Sequence, residues 1–462
     1  MKLGAKDINV YLANAPALGF PKQMQRALPA CIALILIISF LYSSSLKEVS
    51  TSVFAPRNRL FPRKVWQTWK VDPLDFEQRD LDTARTWPAK NPTYRYEVLT
   101  DQNDLAWVET HFGADGFNRL DIVYIYRELT ARIIKADLLR YLVMYVEGGV
   151  YTDIDVEAIR PVSKFIPDRF DERDVDMVVG VEIDQPDFRE HPILGQKCES
   201  FCQWTFMCKP KLPVMLHLVE NIMRWLKGIA EEQKVPISEI KLNFDQVIAG
   251  TGPSAFTRAI LDDMSVREGK KITWDQFHDL SESKLLGRVL VLNVEAFAAG
   301  QGHSDSGNHD TKHALVRHHY HASKWPDKHP RFSHPIFGMV EECNWKPDCV
   351  RKWDEDTANY AKLTPEEQAN QLAICRFCVV VCTSHLNSAN IHQQSSPRRN
   401  KSASRRRIWR NWRSSTTCSL LRQLQITIKM SLSHLRQRYR HHSEEATVHS
   451  YRKNYIQSHR QR

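Results

Sequence analysis

The chain repeats no segment at solenoid length, which excludes a stack of helical or strand repeats. Its last eighty residues, from Thr383, contain neither glycine nor aspartate. The first 382 residues lack any positive excess. The whole chain carries +10, but the tail from Thr383 sets seventeen Lys and Arg against Glu444 and Glu445 alone; that is +15, leaving −5 for everything before it. Nucleic acid is therefore excluded as the partner of the body, and the basic character belongs to the tail. Cys375, Cys378 and Cys382 resemble metal spacing but lack a second ligand pair at a zinc-like distance, so zinc is not expected. A wholly disordered chain is excluded by what is present: 42% hydrophobic and 10% aromatic residues suffice for a sizeable core.

Long apolar runs are scarce except between Arg26 and Lys47, where twenty residues are uncharged. As a helix they span roughly 30 Å, enough to cross a bilayer. Lys2, Lys6, Lys22 and Arg26 precede them against Asp7 alone, so residues 1–26 are expected to stay cytosolic while 27–46 form a signal anchor. The rival is cleavage near Ser43-Ser44-Ser45. Residues 47–62 read as a stem, 63–372 as the main folded domain and 373–462 as a disordered basic tail, or a product of read-through or frame change. A body across the membrane permits disulfides. Cys343 and Cys349 are spaced to close a small loop, and buried free thiols are the alternative.

Within the body, Lys64 to Lys70 and Tyr94 to Leu99 read as strands, with Thr100 and Asp101 able to cap the helix that follows. Met177 to Val181 and Val289 to Leu292 read as buried strands, and Val214 to Ile229 as an amphipathic helix. Strands alternating with helices predict an α/β fold with a largely parallel sheet. Ile134, Leu138, Tyr141, Leu142 and Tyr145 recur at helical spacing, and Gly148-Gly149 ends that helix with a left-handed turn.

Directly after the glycines comes Val150-Tyr151-Thr152-Asp153-Ile154-Asp155. Two carboxylates two residues apart at a strand end suit a hard divalent ion, and such an ion most usefully neutralises a diphosphate leaving group. Asp137 and Arg140, three apart on the preceding helix, are either a surface ion pair or part of the same pocket.

Taken together, Ala136 to Tyr141 and Gly148 to Asp155 resemble the signature of the DXD-containing glycosyltransferase family typified by fungal initiation-specific α-1,6-mannosyltransferases. The resemblance runs from about Lys64 to about Pro365. It includes Val65 to Lys70, Thr251-Gly252-Pro253, and His318-His319-Tyr320-His321-Ala322-Ser323-Lys324-Trp325. It implies a GT-A-like fold, a Rossmann-like nucleotide-binding sheet with an acceptor half. It also implies retaining transfer of mannose from GDP-mannose to a glycan acceptor with Mn²⁺, Mg²⁺ being the alternative. Asp155, Asp153 and His319, with His318 in reserve, would hold the metal; Trp66, Asp137, Arg140, Asp153 and Lys324 would bind the donor, Trp66 at the end of the first strand near the base. Related families often carry His at the position of Trp66 and Gly at that of Ala322. Asp245, Asp262 and Asp263 are candidates only for the acceptor side, and no residue stands out as a nucleophile. The further implications are a single-pass type II Golgi membrane protein with its catalytic domain luminal, and a complex with other mannosyltransferases.

Two rivals differ in kind. In a haloacid-dehalogenase-type phosphatase Asp153 would attack phosphate and Asp155 act as general acid, but the later Lys and Gly-Asp-x-x-x-Asp pair are not found. In a non-catalytic subunit of a transferase complex the carboxylates need not be intact.

Overall fold

The computed structural model describes residues 59–321 and 329–375. The expected anchor (27–46), Lys324 and the tail beyond 375 lie outside the described residues. Among the described residues no helix is long and apolar enough to cross a membrane. The chain divides into two compact units at Arg331/Phe332.

In the first unit the elements run β1 (Lys64–Trp69), α1 (Gln78–Lys90), β2 (Arg95–Thr100), α2 (Asp104–Phe112), α3 (Leu120–Glu128), α4 (Arg132–Val146), β3 (Gly149–Thr152) and β4 (Val156–Ala158). They continue with β5 (Met177–Asp184), β6 (Glu199–Phe201), β7 (Thr205–Cys208), α5 (Pro213–Gln233), α6 (Phe244–Gly250), α7 (Pro253–Glu268), β8 (Lys284–Leu286), β9 (Val289–Leu292), α8 (Val294–Ala298) and β10 (Val316–His318). The central sheet has the order β2-β1-β3-β7-β5-β9-β8, with β6 paired to β5. Strands β1, β2, β3, β5 and β9 share one direction, as a largely parallel sheet requires, but β6, β7 and β8 oppose it. The cause is local: after β5 the chain turns back and runs antiparallel to it, first as β6 and then as β7, without a crossover helix.

Strand alternation divides the core into two layers. Trp66, Tyr151, Met177, Val179, Phe206, Cys208, Val289 and Val291 pack into one apolar cluster with helices α2 to α5 and α7. Their neighbours Val65, Val150, Val178, Met207, Leu290 and Leu292 pack into a second with Trp87 of α1 and Phe297 of α8. The result is a mixed α/β unit with helices on both faces of a central sheet.

α4 buries Ile134, Leu138, Tyr141 and Leu142, and ends where its spacing predicts. Gly148 and Gly149 have φ of 63° and 97°. A Cβ on Gly149 would lie 2.6 Å from the Lys64 carbonyl oxygen, and one on Gly148 2.7 Å from the Pro210 nitrogen, so only glycine fits this turn between α4 and β3. α2 departs from expectation: its N-cap is Asn103, whose Oδ1 turns back to accept from the Thr100 amide at 2.8 Å, so neither Thr100 nor Asp101 caps it.

The second unit holds α9 (Pro347–Ala361) and a further helical stretch, 365–375. A disulfide joins Cys343 to Cys349, while Cys198, Cys202 and Cys208 of the first unit are buried free thiols.

Candidate functional site

Because β3 and β5 are parallel and β7 antiparallel between them, the ends of β3 and β5 and the start of β7 meet at one edge of the sheet. Asp153-Ile154-Asp155 leaves β3 there. The Asp153 amide donates to the Trp204 carbonyl at 2.9 Å, fastening the loop to the start of β7. Gln67 Nε2 donates to the Asp153 carbonyl at 2.9 Å from the β1 side.

From beneath, α1 holds the same loop. Thr83 Oγ1 donates to the Ile154 carbonyl at 2.6 Å, Trp87 Nε1 to the Val156 carbonyl at 2.8 Å, and the Ala158 amide donates to Thr86 Oγ1 at 2.9 Å. Asp80 at the start of α1 is fully buried; its Oδ1 meets His321 Nε2 at 2.9 Å and its Oδ2 has no partner. Sequence reading missed α1 as a support. Its signal was a helical face on which Asp80, Thr83 and Trp87 stand at i, i+3 and i+7, polar groups beside a large ring.

Asp137 and Arg140 belong to this pocket and are not a surface pair. Arg140 Nη2 lies 3.3 Å from Asp137 Oδ1 and 3.2 Å from Asp153 Oδ1, with the guanidinium over the Tyr151 ring at 5.0 Å. Asp137 Oδ2 accepts from Thr251 Oγ1 at 2.7 Å, which explains why Thr251-Gly252-Pro253 accompanies the acidic signature. Tyr141 donates to Gln203 Oε1 and to the Thr251 carbonyl at 2.9 Å, and Tyr151 donates to Asp153 Oδ1 at 2.7 Å. Burial pushes the Asp137 carboxyl up to about 6 although Arg140 and Thr251 oppose it, and burial likewise raises Asp153 against Arg140. Arg140 Nε is buried without a partner, so even this pocket leaves a donor unused.

Two placements correct the sequence expectation. His318, not His319, faces the aspartates: its Nε2 is 3.3 Å from Asp155 Oδ1, and its Nδ1 is buried with no partner. β10 pairs antiparallel with β4, His318 opposite Val156, and successive residues of an extended segment point opposite ways. The His319 amide therefore donates to the Asp155 carbonyl at 2.9 Å while its ring meets Glu157 Oε2 at 3.0 Å. Trp66 is not at a strand end. It is the third of six residues in β1 and 5% exposed, its indole nitrogen unpartnered inside the helix-side core. Trp69 occupies the strand's end and is partly exposed, with Lys70 Nζ 4.9 Å from its ring centre.

The acceptor-side acids also have other employment. Asp245 pairs with Lys197 at 2.7 Å and Asp263 with Arg267 at 2.7 Å.

The donor set of Asp153, Asp155 and His318, oxygen with imidazole, fits a divalent ion of the Mn²⁺ type. A tighter group of ligand-type atoms, all within 4.8 Å among the described residues, is Asp184, the last residue of β5, with His278 and Asp279. There the Asp184 carboxylate already accepts from Trp274 Nε1 at 2.7 Å, the Asp279 amide at 2.8 Å and His278 Nδ1 at 3.0 Å. That is a clasp held by three donors from the chain itself.

A DXD edge braced by a helical Asp–Arg pair is the feature these residues share with known proteins. Residues 77–171, which begin one residue before α1 and pass through the aspartates, match the family described as glycosyltransferase sugar-binding region containing DXD motif. The segment that carries the aspartates is thus similar to the sugar-binding region of DXD-containing glycosyltransferases. The chain's relatives include fungal enzymes. It is 31% identical over 274 residues to the initiation-specific alpha-1,6-mannosyltransferase of Schizosaccharomyces pombe, covering 59% of this chain and 65% of that protein, just under two thirds of its length. To the enzyme of the same name from Candida albicans it is 29% identical over 287 residues, covering 58% and 72%. To that of Saccharomyces cerevisiae it is 26% identical over 209 residues, covering 39% and 42%. Among solved structures, the PaToxG glycosyltransferase aligns with 48% of this chain and 76% of its own at 15% identity and a TM-score of 0.31, too low to carry argument.

Proposed function

We propose that this protein is a metal-dependent mannosyltransferase with a GT-A-like fold that transfers mannose from GDP-mannose to a glycan acceptor with retention. Its similarity to initiation-specific α-1,6-mannosyltransferases supports an α-1,6 linkage, and we propose the start of an N-glycan outer chain as the first acceptor to test. The double ion pair of Arg140, joining Asp137 on α4 to Asp153 after β3, carries this reading. It fixes a carboxylate pair at the sheet edge where nucleotides bind in open α/β sheets.

Asp155 with His318, and Asp153 beside them, would hold Mn²⁺. The ion would supply positive charge to the departing diphosphate. Asp153 orients sugar or ribose hydroxyls while Tyr151 and Arg140 fix its rotamer. Asp137 and Arg140 form the floor under the donor sugar, and Trp69 at the end of β1 offers the ring on which a base stacks. Lys324 is assigned to a phosphate oxygen. A phosphatase reading asks Asp153 to attack phosphorus, yet its Oδ1 is held by Arg140 and Tyr151. The Cys343–Cys349 disulfide supports an oxidising compartment, in keeping with a type II Golgi membrane protein whose catalytic domain is luminal. Assembly with other mannosyltransferases belongs to the same proposal.

The test is a screen of the full chain against nucleotide-sugars and phosphate esters, with Mn²⁺, Mg²⁺ or chelator. Turnover of GDP-mannose that needs the metal is expected. Phosphate-ester turnover without sugar-nucleotide turnover would overturn the proposal.

A further inference from the structure

Two strands along from the aspartates, at the same edge, Glu182 stands near the end of β5. Its Oε1 accepts from Trp204 Nε1 at 2.8 Å and its Oε2 from Ser200 Oγ at 3.3 Å. Both donors are neutral, and no cation pairs with this carboxylate among the ion pairs of the described residues. Trp204 packs against His318 with ring centres 4.5 Å apart, and His318 reaches Asp155, so Glu182 belongs to the same cleft. Burial raises its carboxyl above the usual range, with the Trp204 indole and His318 opposing and Asp153 adding to the rise.

Beside it lies Tyr320, stacked on His318 at 3.8 Å. The residue is 57% exposed although its hydroxyl accepts from Gln301 Nε2 at 2.6 Å. Its φ of 52° places a bulky residue in the left-handed region, a strain that persists only where the surroundings hold it and that clusters at binding sites. An exposed aromatic face beside a carboxylate is a surface for a saccharide, whose C–H face lies on a ring while its hydroxyls donate to an acid. The nucleotide half of the sheet, β1, β2 and β3, lies on the other side of the aspartates.

We propose that Glu182 and Tyr320 form the acceptor subsite, the saccharide lying on Tyr320 with its attacking hydroxyl donating to the Glu182 carboxylate. This rests on the glycosyl-transfer reading above. In the step, the hydroxyl oxygen approaches from the face the diphosphate leaves, so that configuration is retained, and forms the bond to the anomeric carbon while its proton passes to Glu182. The bond from that carbon to the diphosphate oxygen breaks, its electron pair leaving with GDP.

The experiment measures transfer to a mannoside acceptor and hydrolysis of GDP-mannose by the full chain, side by side, for wild type, Glu182→Gln, Tyr320→Ala and Tyr320→Phe. Gln still accepts from the Trp204 indole and can donate to Ser200, so Glu182→Gln should melt with the wild type. Its kcat for transfer should fall about 100-fold, the scale of a lost proton acceptor, with hydrolysis and the GDP-mannose KM nearly unchanged. Tyr320→Ala should raise the acceptor KM by about 10-fold, and Tyr320→Phe should restore it. Parallel loss of transfer and hydrolysis in Glu182→Gln, or loss of neither, overturns the subsite. A wild type that turns over no nucleotide-sugar removes the glycosyl-transfer reading itself, and the subsite with it; the wild-type arm separates that outcome from the other.

Discussion

Two acidic clusters stand at one edge of the sheet, Asp137 with Asp153 and Asp155 around Arg140, and Asp184 with Asp279 around His278. By distance alone the Asp184 cluster is the better metal site, since its three ligand-type atoms lie within 4.8 Å of one another. The difference is in how each is satisfied. Asp184 already accepts from three donors, an indole, an amide and an imidazole, and its companions His278 and Asp279 are 41% and 78% exposed at the side chain. In the Arg140 cluster Asp137, Arg140 and Asp155 are buried, and Arg140 Nε and the adjoining His318 Nδ1 are without partners. Burying a polar group unsatisfied costs about 1–3 kcal/mol, and structures retain that cost where a site needs it. Compactness marks the clasp, and incomplete satisfaction marks the site.

Substitutions separate the two clusters. The largest effect on stability is expected from Arg140→Ala. It strands the buried Asp137 carboxylate and unpairs the partly exposed Asp153, and should cost roughly 3–5 kcal/mol in denaturant unfolding. Arg140→Lys should recover only part, because one ammonium does not reproduce the fork that reaches both acids. A smaller effect depends on pH. Asp137 has its folded value raised to about 6 from an ordinary 3.8, so the native state holds its proton more tightly than the unfolded chain. Its contribution to stability is therefore lost as pH rises from about 4 to about 6 and is level above that. Asp153, shifted the same way, adds to this slope. Asp137→Asn should flatten the slope in metal-free unfolding curves taken across that range, and an unchanged slope would remove Asp137 as its source. The smallest effect is expected at the clasp: Asp184→Asn keeps an acceptor for the Trp274 indole, so stability should fall by about 1 kcal/mol with transfer activity near wild type.

The Arg140 cluster was far more legible in the sequence than its surroundings. A glycine pair, two aspartates and a helical Asp-x-x-Arg sit within twenty residues, and the turn geometry at Gly148 and Gly149 leaves little freedom in how they meet. The strands β1 and β2 followed from strand patterning, β5 and β9 from short continuous apolar runs buried on both faces, and the helices α4 and α5 from helical spacing. What depended on long-range pairing did not follow. The direction of β7 is fixed by a local turn back from β5, and the choice of His318 over His319 by the register of β10 on β4, a slip of one residue that spacing cannot resolve. Trp66 read as a ligand-facing ring because an aromatic strand has the same pattern on both faces. Glu182 carried no motif, and only the fold brings it beside Trp204 and His318.

The most direct test of the central claim is Mn²⁺ binding in the presence of GDP, measured by calorimetry on the wild type, Asp155→Ala and Asp184→Ala. The structure predicts that Asp155→Ala loses the ion while Asp184→Ala binds it as the wild type does. Retention by Asp155→Ala with loss in Asp184→Ala would move the metal to the clasp and contradict the account.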